Sequence, residues 1–266
     1  MNPLVSLIIT IVAAVFAFRI NTYLGVGFVV VAIAYIYFSN RANLIVGKAN
    51  AAYSMGDKEG AVEYYKNAVS VAKKNPTILA GYALMLLRCE QPDEALSQIN
   101  NVLSTMNLPQ SIKLQAKQIR ALINHRLGNY DDAYEEGLDV FESGHTTSAM
   151  RGLLGLLMIS AEKDDDKTLK FCEDCFDYDA DNRDILDNYL LILTKTKNYD
   201  KAKEISDLLL ENTTDFPESF YHSAQLYIAL GDKKKADELL KKTDDCKFTY
   251  MTTVTKEEIE ALKSQL

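Results

Sequence analysis

The sequence contains no tryptophan, three histidines and four widely spaced cysteines in 266 residues. So low a cysteine content excludes a small scaffold stapled by disulfide bonds, and free thiols fit a reducing compartment. Few histidines and cysteines leave few side chains for a metal site, and the lack of tryptophan leaves few for an aromatic cage. The composition therefore favours a protein without catalytic groups or a bound cofactor.

Charge is distributed unevenly along the chain. Only two of the 29 basic residues, Arg19 and Arg41, precede position 42, and all 37 acidic residues follow it, beginning with Asp57. The chain beyond position 41 is therefore strongly acidic. Such a surface repels the phosphate backbone of nucleic acids, so nucleic acid is not expected as a partner.

The N-terminal segment contains two apolar runs of 15 residues, 4–18 and 24–38. A single helix through both runs would be about 50 Å long, whereas the hydrocarbon core of a bilayer is about 30 Å thick. We therefore expect residues 1–41 to be a membrane anchor made of two short transmembrane helices, 3–18 and 22–38, arranged as a hairpin.

Two other interpretations of this segment are weaker. A cleavable signal peptide needs a basic N-terminal region, but no lysine or arginine precedes Arg19. A buried hairpin in a soluble core would normally keep a polar face, which both runs lack. Asn2 and Pro3 suit the start of a first helix, as its cap and its first helical residue.

Basic residues near the ends of the apolar runs predict the orientation of the anchor. Arg41, Lys48 and Lys58 follow the second run, and only Arg19 lies between the runs. The positive-inside rule then places the body of an integral cell-membrane protein in the cytoplasm. The alternative is an extracytoplasmic protein held by a signal anchor, for instance in envelope biogenesis or secretion.

From residue 42 onward, amphipathic helical patterns alternate with short polar breaks. A small or short residue follows each break at intervals of 34 to 38 residues, and these are Ala61, Ala95, Ala133, Thr168, Ala202 and Ala236. Most breaks contain glycine or an Asn-Asp combination, which lets the chain turn sharply between two helices. Each period therefore predicts a helical hairpin.

A 34-residue helix-turn-helix period with alanine at the close-packing position resembles the tetratricopeptide repeat (TPR) family. The resemblance covers nearly all of residues 42–247, and its best matches are 127–134 (Leu-Gly-Asn-Tyr-Asp-Asp-Ala-Tyr) and 51–65. The fourth unit departs from the pattern with Thr168 and a turn without glycine. The resemblance implies an all-α fold, an α-solenoid of about six helix-turn-helix repeats, preceded here by the transmembrane hairpin.

The end of such an array needs a cover over its last apolar face. Thr255 and Glu258 have the spacing of a helix capping box, and Ile259 and Leu262 share one face of the helix that would follow. We therefore expect residues 255–266 to form a C-terminal capping helix.

Candidate catalytic side chains are few. Cys172 and Cys175 have CxxC spacing but lie in a predicted helix without further zinc ligands, so we interpret them as buried packing residues. His125, His145 and His222 fall in different repeats and are interpreted as surface or groove residues. No nucleotide-binding or hydrolase motif occurs. We predict no enzymatic activity, and an enzyme using Cys172 or His125 at a repeat seam is the alternative.

In the TPR family the first helix of each repeat lines a concave face. Carrying this register over predicts a protein-binding groove with an apolar floor and two arginines. Its residues are Asn50, Tyr53, Leu84, Arg88, Leu122, His125, Arg126, Leu153 and Leu157. A register shifted by one residue would place some of these leucines in the core instead.

The combined prediction is a membrane-anchored, non-catalytic scaffold or assembly factor that binds a segment of a partner protein in this groove. Because the floor is apolar and Arg88 and Arg126 lie at its edge, the partner segment should carry apolar anchors and at least one acidic group. No small-molecule substrate, cofactor or metal is expected.

Overall fold

The structure is a computed structural model that describes residues 3–72, 75–211 and 215–266, with side chains from residue 10 onward. Over these ranges the chain forms fourteen α-helices and one 3-10 turn, with no strand. The helices are α1 Pro3–Ile20, α2 Thr22–Ser54, α3 Lys58–Val71, α4 Pro76–Arg88, α5 Pro92–Leu103, α6 Gln110–Arg126, α7 Tyr130–Glu142, α8 Ser148–Ser160, α9 Asp165–Tyr178, α10 Arg183–Lys195, α11 Tyr199–Glu211, α12 Pro217–Ala229, α13 Lys233–Lys242 and α14 Lys256–Lys263. The predicted all-α fold is confirmed.

Helix contacts divide the chain into two compact units, Met1–Ile78 and Leu79–Leu266. The first contains α1, α2 and α3, and the second contains most of α4 and every later helix. Within the second unit, consecutive helices from α5 to α13 pack against each other. Helical hairpins joined by short turns produce this pattern of neighbours.

In the first unit, α1 and α2 meet at Asn21. The extended backbone of Asn21 (φ −162°) separates the helices, and its Oδ1 caps α2 by accepting a 2.8 Å hydrogen bond from the N–H of Tyr23. Half-buried residues recur at helical spacing on each helix, namely Ala13, Ala14 and Ala17 in α1 and Phe28, Val29 and Ala32 in α2. One face of each helix therefore packs on the other, while most of the exposed side chains between Ile11 and Phe38 are apolar.

Among the described residues, α2 is the one helix that is long and apolar enough to span a membrane, and only 6% of its most apolar window is buried. It also differs from the predicted span of 22–38, because it continues unbroken from Thr22 to Ser54. Residues 39–41 include no glycine or proline to interrupt a helix. The apolar segment and the first helix of the repeat array are thus one helix. Asn2, the expected cap of α1, lies outside the described residues.

Six hairpins follow one another at the predicted period. They are formed by the second half of α2 with α3, and by α4/α5, α6/α7, α8/α9, α10/α11 and α12/α13. The small residue near the start of each second helix is buried, with Thr168 1% exposed and the five alanines 0%. The hydroxyl of Thr168 donates to the carbonyl of Asp164 (2.9 Å), so the fourth hairpin accommodates threonine at the alanine position.

All six hairpin turns close in the same way. One residue in each turn has a positive φ, and these are Gly56, Glu90, Gly128, Glu162, Lys197 and Gly231. The next N–H bonds a carbonyl five positions back, as from Asn129 to Asn124 and from Asn198 to Leu193, each at 2.9 Å. This is the Schellman arrangement that ends a helix, and three of the six turns adopt it without glycine.

The C-terminal helix α14 begins at the capping box predicted from the sequence. The hydroxyl of Thr255 accepts from the N–H of Glu258 (3.2 Å), and the N–H of Thr255 donates to Oε2 of Glu258 (2.7 Å). Ile259 and Leu262 are buried in one apolar cluster with residues of α12 and α13. The helix therefore covers an apolar surface of the last hairpin.

Candidate binding groove

The first helices of repeats three to six, α6, α8, α10 and α12, form one layer of the second unit. Each contacts the next, whereas the second helices make no mutual contact of similar extent among the described residues. The more closely spaced layer lies on the inside of a curved solenoid, so this face is concave. Asn188 of α10 helps hold the layer together, because its Nδ2 donates to the carbonyl of Gly152 on α8 (2.7 Å).

The concave face contains a cleft with a volume of about 490 Å³. Its floor is apolar and includes Leu122 of α6 and Leu153 and Leu156 of α8. Carboxylates from α10 and α12 contribute another wall, and these belong to Asp184, Asp187 and Glu218. The cleft therefore offers both apolar contacts and hydrogen-bond acceptors, as small binding sites in proteins commonly do.

Residues 247–253, here named the strap, lie over this cleft and close one side of it. The strap contains a turn in which the N–H of Thr252 donates to the carbonyl of Thr249 (3.0 Å). Arg126, at the end of α6, donates from Nη2 to the carbonyl of Thr252 (2.9 Å). The N–H of Thr253 donates to Oε1 of Glu218 on α12 (2.7 Å). The strap thus connects the third repeat to the sixth through its main chain.

The side chains of Arg126 and Glu218, which bind the strap, each contain one buried polar atom without a hydrogen-bond partner. The atoms are Nε of Arg126 and Oε2 of Glu218. Burial lowers the pKa of Arg126, although the nearby Tyr250 and Glu218 oppose that effect. Burial also raises the pKa of Glu218, against the hydrogen bond from Thr253. Burial therefore disfavours the charged form of both groups, and the strap satisfies each of them only in part.

The structure brings together only part of the predicted groove. Leu122 and Leu153 line the cleft, and Arg126 bonds the strap. Four other predicted groove residues do not line this cleft, and all are exposed or half-buried on α2 or α4: Asn50, Tyr53, Leu84 and Arg88. The prediction of an acidic partner relied on two arginines, of which Arg126 alone is placed at the cleft.

Two predicted groove residues lie in the interior instead. Leu157 is 0% exposed in a cluster with Ala121 and Ala133, because Gly137 lets α7 approach so closely that an added Cβ would lie 2.6 Å from Leu157. His125 is 9% exposed, and its Nε2 lies 2.9 Å from the hydroxyl of Ser160. Burial, with the positive charge of Arg126, lowers the pKa of His125 to about 4.

His222 also lies in the interior rather than on the surface. Its Nδ1 is 2.7 Å from Oδ1 of Asp187, and both side chains are buried. Burial opposes a charge on His222, but the carboxylate of Asp187 outweighs it and raises the pKa of His222. The pair therefore fixes one of the cleft carboxylates against α12.

The two cysteines of the CxxC sequence are core residues, as their helical position predicted. Cys172 and Cys175 are each 2% exposed on α9. Burial, with the neighbouring Cys175, raises the pKa of the Cys172 thiol to about 12, so it is protonated at neutral pH and a poor nucleophile. Within the described residues, no three His, Cys, Asp or Glu side chains are grouped to hold a metal ion.

The cleft carboxylates and the strap were missed at the sequence level. The register was carried only through the fourth repeat; extended by 34 residues from Leu153 it reaches Asp187 of α10, but it includes neither Asp184 nor Glu218. The strap has no helical or strand periodicity, so no local signal placed it at the groove.

Comparison with known proteins agrees with this architecture. A sequence model of the family described as tetratricopeptide repeat matches residues 42–75 and 217–242. A search of curated protein sequences finds no significant match. Among solved structures, the chain is similar to pilF of Pseudomonas aeruginosa, with a TM-score of 0.63 and 13% identity, covering 86% of this chain and 99% of that one.

Two further solved structures share the fold at low identity. A tetratricopeptide repeat protein from Parabacteroides merdae ATCC 43184 has a TM-score of 0.53 and 15% identity, covering 84% of this chain and 97% of its own. MamA from Desulfovibrio magneticus RS-1 has a TM-score of 0.52 and 16% identity, covering 65% of this chain and 95% of its own. The chain therefore has the tetratricopeptide repeat fold, and its first and last hairpins match the sequence model of that family.

Proposed function

We propose that this protein is a membrane-anchored, non-catalytic scaffold or assembly factor that binds a segment of a partner protein on the concave face of α6, α8, α10 and α12. The observation that carries the proposal is the strap. Main-chain atoms of Thr252 and Thr253 are bound there by Arg126 and Glu218, so the groove already holds a polypeptide segment. The apolar floor beside it is available for side chains of the partner.

The anchor is assigned to α1 and the apolar part of α2. Most of the side chains that they expose between Ile11 and Phe38 are apolar, and a bilayer accommodates such a surface better than water does. Arg41, Lys48 and Lys58 lie on the side of the repeats, so the repeats face the cytoplasm under the positive-inside rule. The opposite orientation would make the protein an extracytoplasmic anchored scaffold with the same groove.

Placing negative charges on the apolar floor of the cleft tests the binding function. We expect the full-length Leu122→Asp/Leu153→Asp double variant, purified from native membranes, to lose the protein that co-purifies with the wild type, because buried carboxylates exclude apolar anchors. Met106→Asp is the matched control, since Met106 is 87% exposed outside the groove. Retention of the same partner by the double variant, with its helical content intact, would refute groove binding.

A further inference from the structure

The strap binds the groove through contacts that any polypeptide could make. Arg126 bonds a main-chain carbonyl, and Glu218 bonds a main-chain N–H, with the Thr253 hydroxyl as a further donor at 3.2 Å. Neither main-chain contact depends on the identity of a strap side chain. A segment of another protein could therefore replace the strap without any change in the groove residues.

The strap also leaves the two charged groups incompletely bonded. Nε of Arg126 and Oε2 of Glu218 are buried without partners, and such atoms are unfavourable in a folded protein. A neutral carbonyl oxygen on Nη2 uses only one donor of the guanidinium. A carboxylate accepts from Nη2 and Nε together and forms the stronger, bidentate arrangement.

The aromatic and apolar tip of the strap occupies the remaining space. The ring of Tyr250 lies 5.7 Å from the guanidinium carbon of Arg126, and Met251 lines the cleft beside the apolar floor. Removing the strap would uncover Arg126 and enlarge the open groove at the same time. The strap and a partner segment therefore compete for one surface.

Building on the proposed function, we infer that the strap is an internal ligand of the groove, displaced by a partner segment that places a carboxylate on Arg126 and a main-chain N–H on Glu218. An apolar side chain of the partner takes the position of Met251. Because the strap belongs to the same chain, it competes at a high effective concentration, of the order of millimolar for short connections. The groove consequently selects partners whose contacts exceed those of the strap.

Two substitutions release the strap while leaving the groove side chains in place. Thr253→Pro removes the N–H that Glu218 accepts, and Met251→Gly removes the side chain in the cleft. Lys256→Pro is the matched proline control, because Lys256 is the first residue of α14, where proline is tolerated. Its Nζ lies 5.4 Å from the ring of the strap residue Phe248, which does not line the cleft, and it takes no part in the bonds of the strap to Arg126 and Glu218. Circular dichroism of each variant verifies that the helical array is intact.

The test uses full-length protein in lipid nanodiscs and fluorescent peptides with the strap sequence 247–253. One peptide carries aspartate at the position of Thr252, and a second, otherwise identical peptide carries asparagine there. We expect both release variants to bind the aspartate peptide at least about 10-fold more tightly than the wild type or Lys256→Pro does. The released proteins should also prefer aspartate to asparagine by about 5-fold or more.

Equal affinity of the wild type and the release variants would overturn the internal-ligand inference, and so would an absence of peptide binding to every protein. Equal binding of the two peptides would overturn the role of the carboxylate. These failures are separate from failure of the proposed function, which is decided by whether Leu122→Asp/Leu153→Asp loses the native partner.

Discussion

Lys197 and Glu162 adopt a left-handed backbone at their hairpin turns, with φ of 61° and 49°. Side chains other than glycine are strained there by the contact between Cβ and the backbone, at a cost of about 1 kcal/mol. Glycine occupies the equivalent position in three other repeats, at Gly56, Gly128 and Gly231. Packing of the flanking helices therefore imposes the same turn on residues that do not favour it.

We expect Lys197→Gly to raise the free energy of unfolding by up to about 1 kcal/mol, because glycine adopts this conformation without strain. Gly231→Ala is the matched reverse substitution. Nothing lies within 4 Å of a Cβ built at Gly231, so its expected loss of about 1 kcal/mol comes from the backbone alone. Thermal and urea denaturation of the full chain measure both changes, and a less stable Lys197→Gly would show that the lysine side chain contributes instead.

His125 predicts an acid-dependent loss of stability. Its pKa is about 4 in the folded protein and near 6.5 when unfolded, so folding favours the neutral ring. The stabilisation is complete above about pH 6.5 and disappears as the pH falls towards 4, for a total of roughly 3 kcal/mol. Between pH 7 and 4.5, His125→Gln should therefore lose less stability than the wild type.

His145→Gln serves as the control for this pH experiment, because it leaves His125 in place and should retain the full acid-dependent loss. Denaturant unfolding at a series of pH values gives the comparison. Parallel pH profiles for the wild type and His125→Gln would contradict a buried neutral histidine at this position.

The sequence pattern of one helix did not predict which of its leucines line the cleft, because a neighbouring helix decides which of them are covered. Leu153 and Leu157 lie four residues apart on one face of α8, so the sequence pattern treats them alike. Only Leu153 lines the cleft, because Gly137 allows α7 to cover Leu157. The absence of a side chain on a different helix cannot be inferred from the pattern of α8 alone.

At the level of single elements, α14 seals the last hairpin through Ile259 and Leu262. We expect Leu262→Asp, or deletion of residues 255–266, to undock this helix, expose the apolar surface of α12 and α13 and promote self-association. Ala261→Asp is the matched control, since Ala261 is exposed beside the buried Leu262. Light scattering of the full-length variants measures association, and a monodisperse Leu262→Asp protein would show that α14 is not a cap.

Helices that belong to the repeating sequence pattern could be predicted from the sequence, whereas the strap, which lies outside that pattern, could not. The recurrence of Ala61, Ala95, Ala133, Thr168, Ala202 and Ala236 gave six hairpins because each marks the same close helix contact. The strap has no such recurrence. Its contact with Arg126 joins residues 126 positions apart in the chain, and a local pattern holds no information about a pairing at that distance.

For the whole molecule, we expect a membrane protein with the repeats in the cytoplasm. The full chain should sediment with membranes and resist carbonate extraction, because α1 and α2 expose extensive apolar surface. Recovery in the soluble fraction would exclude the anchor.

Orientation can be measured by thiol labelling in a Cys246→Ser background, since the other three cysteines are buried. Tyr23→Cys, in the first turn of α2 next to its junction with α1 and 88% exposed, should react with a membrane-impermeant maleimide in intact cells. Glu257→Cys, exposed on α14, should react only after permeabilisation. The reverse labelling pattern would place the repeats outside the cytoplasm.

The central claim is that the concave face of the repeats binds a partner protein in the membrane. Site-specific photo-crosslinking in native membranes tests it most directly, with the photoreactive residue placed at Leu153 in the cleft or at the exposed Met106 outside it. We expect one protein to be captured reproducibly from Leu153 and not from Met106. Capture of that protein from Met106 alone, or from neither position, would contradict it.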